Sequence, residues 1–148
     1  MSNMKVNKIF IGGDHAGFEL KEKFVAFLNE KGYEVKDHGP YSAESADYPD
    51  FAHPVASDVE STDGTLGVLI CGSGNGVCMT ANKHANIRAA LCWNKELAAL
   101  ARQHNNANVI CVPARFVDEN TAFEMLETFI TTDFEGGRHE RRVGKISC

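Results

Sequence analysis

The residues with the most chemical potential lie together in Cys71-Gly72-Ser73-Gly74-Asn75-Gly76-Val77, directly after the apolar run Leu66 to Ile70. Glycines at alternate positions let the backbone turn tightly and aim successive N–H groups at one point, where they bind an anion or stabilise an oxyanion. A helix is expected from Val77 through His84, and its N-terminus adds positive potential at the same place. Such a field favours the thiolate of a neighbouring cysteine, which makes Cys71 a candidate for acid–base or nucleophilic work. A plainer reading stands beside it: glycine-rich strand-to-helix turns are common, and a cysteine at a strand end is commonly inert core. Familiar phosphate motifs do not fit. The glycine spacing is not G-x-G-x-x-G, Gly76 is followed by Val77 rather than the Lys-Ser/Thr of a P-loop, and Val77 also stands where a thiol phosphatase loop carries arginine.

Asp14-His15 forms a second cluster, immediately after the first apolar run. A carboxylate and an imidazole side by side can move protons between sugar hydroxyls, although Asp14 is equally placed to cap a helix starting near Ala16. His104-Asn105 falls at the end of a helical stretch, where a plain helix terminus is the simpler account. Gly136-Gly137-Arg138-His139-Glu140-Arg141-Arg142 is the one basic cluster. Arg138 and Arg142 are four apart, so a helix puts both guanidiniums on one face, suited to forked contacts with a phosphate or simply to solvent. The Gly-Gly break makes 136–148 an arm able to reach a neighbouring chain. His38, His53 and His84 show no metal-ligand spacing and read as structural or surface residues.

Positioning these groups falls to alternating strands and helices. Val6 to Ile11, Tyr33 to Val35, Leu66 to Cys71, Ile87 to Cys92 and Val109 to Val112 read as five strands, several too uniformly apolar for a sheet with a wet face. Leu20, Phe24, Phe27 and Leu28 give a helical stripe closed by Gly32. Phe51, Val55 and Val59 continue helically after Pro49, with Pro54 as a potential break. Leu97, Leu100 and Ala101 mark another helix, and Ala122, Met125, Leu126, Phe129 and Ile130 the last. Repeated βα units predict one domain over 1–148, a three-layer α/β/α sandwich of Rossmann-like type with a five-stranded, mainly parallel sheet. Ligands in such folds gather outside the carboxyl ends of the strands. That edge should hold Gly12 to His15, Cys71 to Gly76, Trp93-Asn94 and Pro113 to Arg115.

Composition narrows the class. The chain has 148 residues, 43% hydrophobic and 24% charged, with a net charge of -5, values typical of a globular domain. Arg138, Arg141, Arg142 and Lys145 against Glu140 leave the last eleven residues at +3 and the remainder at -8. The total disfavours nucleic acid and anionic membranes, while the local cluster still suits one phosphate. The longest uncharged run, Gly64 to Asn82, is too rich in Gly, Ser, Thr and Asn to span a bilayer. The N-terminal residues show no signal-peptide cleavage pattern. Five cysteines without a CxxC suit reduced thiols in a cytoplasmic protein.

Taken together, Gly13-Asp14-His15-Ala16-Gly17-Phe18, Asp47-Tyr48-Pro49, Ile70 to Gly76, Ala81-Asn82-Lys83, Ile87-Arg88-Ala89, Arg102-Gln103-His104-Asn105 with Asn108-Val109, and Glu135-Gly136-Gly137-Arg138-His139 resemble the ribose-5-phosphate isomerase B family, in family order over nearly the whole chain. That family also includes galactose-6-phosphate and allose-6-phosphate isomerases. The resemblance implies interconversion of an aldose phosphate and a ketose phosphate through a cis-enediolate, with no metal or organic cofactor, as in the pentose phosphate pathway. It implies Cys71 as the base between C2 and C1. Gly72, Ser73, Gly74, Asn75 and Gly76 hold the enediolate oxygen, His104 opens the sugar ring, and Asp14 and Asn105 meet the sugar oxygens. His15, Arg115, Arg138 and Arg142 take the phosphate, and Tyr48 is a further substrate contact. It also implies a homodimer, or a tetramer built of such dimers, with the site shared between subunits. Ser73 stands where many members have Thr, and Gly13 where some have Cys. In one subgroup the base is a glutamate a few residues on, a stretch that here holds Gly76, Val77 and Cys78.

Overall fold

The computed structural model describes residues 6–148; the first five residues of the expected domain lie outside that range. Five strands, β1 (Lys8–Gly13), β2 (Glu34–Asp37), β3 (Thr65–Cys71), β4 (Ala89–Leu91) and β5 (Val109–Pro113), alternate with helices α1 (Phe18–Glu30), α2 (Pro49–Ser61), α3 (Asn75–Ala81), α4 (Lys95–Asn105) and α5 (Glu119–Thr131), and α6 (Arg138–Gly144) follows. All pairings are parallel, in the order β2-β1-β3-β5-β4.

Strand alternation sends successive side chains to opposite faces. Ile9, Ile11, Leu66, Val68, Ile70, Ile110 and Val112 pack with Phe24, Leu28, Ala98, Met125 and Phe129 of α1, α4 and α5. Phe10, Leu69, Cys71, Val109 and Cys111 pack with Val55, Ala56, Val59 and Val77 of α2 and α3. This is the expected three-layer α/β/α sandwich, and the three central strands are buried almost throughout because both faces are covered.

Several boundaries differ from the sequence reading. β2 runs on to Asp37 because an edge strand with half its residues in solvent carries polar side chains. β4 shrinks to three residues, since Ile87 N–H is spent in a turn to the His84 carbonyl. α3 starts at Asn75 and ends at Ala81, with Lys83 and His84 in the turns beyond. α2 runs unbroken through Pro54, with Pro49 in its first turn.

The chain leaves β1 toward β2 on one side and later enters β3 on the other. That reversal opens a crevice between the carboxyl ends of β1 and β3, the usual ligand position in open parallel sheets.

Candidate active site

Two loops meet at this crevice through one carbonyl. Asp14 N–H donates to the Ile70 carbonyl at 3.1 Å. Gly17 also sits against it, and a Cβ there would lie 2.6 Å from the Ile70 oxygen. The β1 loop is thereby docked directly beside Cys71.

Asp14 is almost buried, and its Oδ1 accepts from Ala16 N–H at 2.9 Å and Gly17 N–H at 3.2 Å. The capping role is therefore real, and it fixes the carboxylate at the sheet edge. His15 follows in a short 3-10 turn, His15–Gly17. Its Nδ1 accepts from Ala46 N–H at 3.1 Å, so the neutral ring carries its proton on Nε2 and offers a donor there.

Cys71 ends β3 at 5% exposure, and its Sγ accepts a hydrogen bond from Gly74 N–H at 3.2 Å. The turn that brings this amide back requires φ of +76° at Gly74, a left-handed value that glycine adopts freely. Ser73 Oγ accepts from Asn75 N–H at 3.2 Å, which holds the first residue of α3 in place.

Two more elements brace the loop. Ala114 N–H donates to the Cys71 carbonyl at 2.9 Å and Arg115 N–H to the Gly72 carbonyl at 3.0 Å. The Arg115 guanidinium lies along Gly72, with Nη1 only 3.2 Å from where a Cβ would be. At the other end the Tyr48 ring covers Gly76, whose Cβ would come within 2.6 Å of Tyr48 Cε1. Asp14, His15, Tyr48, Cys71, Gly72, Ser73, Gly74, Asn75, Gly76 and Arg115 thus share one end of the sheet. Backbone amides, a sulfur, a carboxylate, an imidazole and a guanidinium together suit an anionic, polyhydroxylated substrate that gains oxyanion character during reaction.

His104, Asn105, Arg138 and Arg142 are elsewhere. α4 begins beyond β4 at the same carboxyl end of the sheet and runs to Asn105, about 16 Å along at 1.5 Å per residue, ending just ahead of β5 at the opposite end. There α6 packs on α4, and the His104 and His139 rings stack with centroids 4.1 Å apart at 11°. Glu135 Oε1 lies 3.8 Å from His104 Nε2 and 3.6 Å from His139 Nε2. Desolvation of the His139 ring, followed by the positive charges of His104 and Arg138, pushes its pKa below the ordinary imidazole value, while Glu135 pulls the other way. Arg138 and Arg142 are exposed on α6. One chain therefore carries the candidate site residues as two groups, on opposite ends of the sheet.

Glu135 and His139 were missed as partners of His104, although their own spacing of four was a usable signal. The remaining histidines are placed structurally. His38 pairs with Asp58 at 2.6 Å, and His53 bonds His84, which faces Glu60 at 3.2 Å. Buried Arg102 ties the end of α4 to the Ala107 and Thr132 carbonyls, holding the base of the arm.

The sequence profile described as Ribose/Galactose Isomerase matches residues 9–146. A probable ribose-5-phosphate isomerase B from Mycoplasma genitalium is 49% identical over 140 residues, covering 93% of this chain and 92% of the relative. Ribose-5-phosphate isomerase B from Escherichia coli is 43% identical over 143 residues, covering 97% and 96%. Among solved structures, a ribose 5-phosphate isomerase from Thermotoga maritima superposes with a TM-score of 0.92 at 51% identity, covering 95% of this chain and 97% of that one. The Mycoplasma genitalium enzyme with bound ribulose-5-phosphate gives 0.90 at 48% identity, covering 94% and 93%. Sequence and structure agree along almost the full length, and the chain belongs to the ribose/galactose isomerase family.

Proposed function

We propose that this protein interconverts D-ribose 5-phosphate and D-ribulose 5-phosphate, with Cys71 as the base. The observation that carries the reading is the Cys71 sulfur at the foot of an amide-lined loop, 3.2 Å from Gly74 N–H, in a chain 48% identical to an isomerase solved with ribulose-5-phosphate.

In the forward direction the Cys71 thiolate removes the C2 proton of the open-chain aldose. The C2–H electrons form the C1–C2 double bond, and the C1 carbonyl electrons move onto O1. An α-proton of a hydroxy-aldehyde is a weak acid, so the step depends on donors preset for the new oxyanion. Loop amides from Gly72 to Gly76 and the Ser73 hydroxyl supply them, each worth about 3 kcal/mol in comparable sites. The thiol then returns its proton to C1, regenerating the thiolate, while the O2 proton passes to O1, so that O2 becomes the ketone oxygen and O1 the C1 hydroxyl. Asp14 handles the sugar oxygens, Tyr48 borders the substrate, and His15 and Arg115 bind the phosphate.

His104, which opens the ring, together with Asn105, Arg138 and Arg142, comes from a second copy of the chain. Their position at the far end of α4 supports this reading, because one chain has only half the groups at each end. The assembly is a homodimer with two shared sites, or a tetramer of two such dimers. No helix among the described residues is long and apolar enough to cross a membrane, which fits a cytoplasmic enzyme of the pentose phosphate pathway.

A six-carbon substrate calls for the same chemistry in a deeper pocket, and one extra CHOH changes discrimination by only about 1–3 kcal/mol. A coupled assay on ribose 5-phosphate, allose 6-phosphate and galactose 6-phosphate separates these. The expected order puts ribose 5-phosphate first by kcat/KM. Turnover of none of the three overturns the assignment.

A further inference from the structure

At the far end of α4, three ligand-type side chains from different segments converge. His104 lies near the C-terminus of α4, Glu135 in the connector after α5, and His139 in α6. Their ligand atoms all lie within 4.8 Å of one another. The separations of 3.8 and 3.6 Å from Glu135 Oε1 to the two Nε2 atoms are too long for hydrogen bonds. The carboxylate is therefore not satisfied by either ring.

A tetrahedral ion with bonds of about 2.0–2.1 Å holds its ligand atoms roughly 3.4 Å apart. The two separations from Glu135 need a contraction of only a few tenths of an ångström, whereas the two ring nitrogens, within 4.8 Å of each other, come together only as the rings turn. Two imidazoles and a carboxylate are a donor set that zinc-class ions take with a fourth position left open, and imidazole nitrogen selects them over magnesium or calcium.

We propose that His104, Glu135 and His139 form a binding site for a zinc-class divalent ion, and that its occupancy inhibits the isomerase by taking His104 out of proton transfer. Inhibition rests on the role given to His104 above; ion binding does not.

The stacked rings describe the site before an ion arrives. Neutral imidazole is the ligating form. Both rings must turn so that their Nε2 lone pairs meet at one point, which replaces the stack with metal bonds. Arg138 and Arg142 act electrostatically on His139 and oppose a cation, with Glu135 offsetting one charge. The affinity is accordingly below that of a closed structural zinc site, as suits a reversible inhibitor.

The test titrates the full-length protein with Co²⁺ as a coloured probe and then displaces it with Zn²⁺. Expected are visible ligand-field bands saturating at one ion per chain. Glu135→Gln and His139→Gln should each weaken binding at least tenfold, the smallest loss typical even for outer-shell partners. Zinc should inhibit turnover, a chelator should restore it, and His139→Gln should raise the half-inhibitory zinc concentration at least tenfold over wild type, with inhibition of each protein scored against its own metal-free rate. Absence of saturable binding overturns the site. So does unchanged affinity in either variant with a native circular-dichroism spectrum, or a thiolate-to-cobalt charge-transfer band, which would put the ion on cysteines. Binding without inhibition overturns the inhibitory role. The cobalt spectrum can be read whether or not the protein turns over sugar phosphates, so failure of this site and failure of the isomerase assignment are distinguishable.

Discussion

Replacing Gly17 with alanine tests whether the two site loops are locked together through Ile70. The new Cβ would meet the Ile70 oxygen at 2.6 Å, its Cγ2 at 2.7 Å and its carbonyl carbon at 2.9 Å. Two of these atoms are backbone, so relief requires the β1 loop or the end of β3 to move by about half an ångström. Overpacking of this kind costs about 1–3 kcal/mol. Gly17 has φ of -96°, which alanine accepts, so the lower entropy of the unfolded chain returns roughly 0.4–1 kcal/mol. A net loss of about 1–2 kcal/mol lowers Tm by roughly 3–8 °C at this chain length. Gly32→Ala is the matched control: its φ is +93° with no atom within 4 Å of the added Cβ, so it loses about 1–2 kcal/mol from backbone strain alone. Calorimetry and isomerase kinetics on both variants separate the effects. Both should melt earlier, but Gly17→Ala alone should lower kcat, because Ile70 adjoins Cys71. A Gly17→Ala protein with Tm within about 1 °C of wild type, or with unaltered kcat, refutes the coupling.

Arg142→Ala should chiefly raise KM, because the phosphate charge is similar in ground and transition states; a large fall in kcat at constant KM contradicts a phosphate role. Burial alone would raise the Asp58 pKa, but hydrogen bonds and charges from His38 and Lys36 outweigh it and hold the carboxyl below 3.8. Its stabilising effect is full above the unfolded value and is lost as pH falls through the folded one, so Asp58→Asn should lower Tm at pH 7, and the difference should narrow in acid below about pH 4. Burial, with a smaller contribution from Cys78, pushes the Cys92 thiol up to about 12. Cys92 and fully buried Cys111 should therefore resist alkylation until unfolding, while exposed Cys148 reacts readily; mass spectrometry of pulse-labelled protein checks this.

The interior of the sheet was legible because its physics is local. β1, β3 and β5 are covered on both faces, so their residues are apolar in sequence and buried in the fold. The edges were less legible: β2 carries Lys36 and Asp37, which masked its end, and β4 has only one neighbour to hold a ladder. Pro54 looked like a break, yet α2 passes through it, its buried face of Ala52, Val55, Ala56 and Val59 outweighing one lost hydrogen bond. The Cys71 loop could be read because all its parts are contiguous. Arg115 along Gly72 and Tyr48 over Gly76 could not, since those contacts exist only once distant strand ends are brought side by side. The same holds for His104 with Glu135 and His139.

The central claim is that Cys71 is the base in sugar-phosphate isomerisation. Its most direct test compares kcat for ribose 5-phosphate between wild type and Cys71→Ala at matched folding, judged by circular dichroism. Loss of a positioned acid–base group typically costs about 10²–10⁴-fold, and a fall of that size with substrate binding retained is the predicted result. A Cys71→Ala protein that turns over ribose 5-phosphate at close to the wild-type rate contradicts the account.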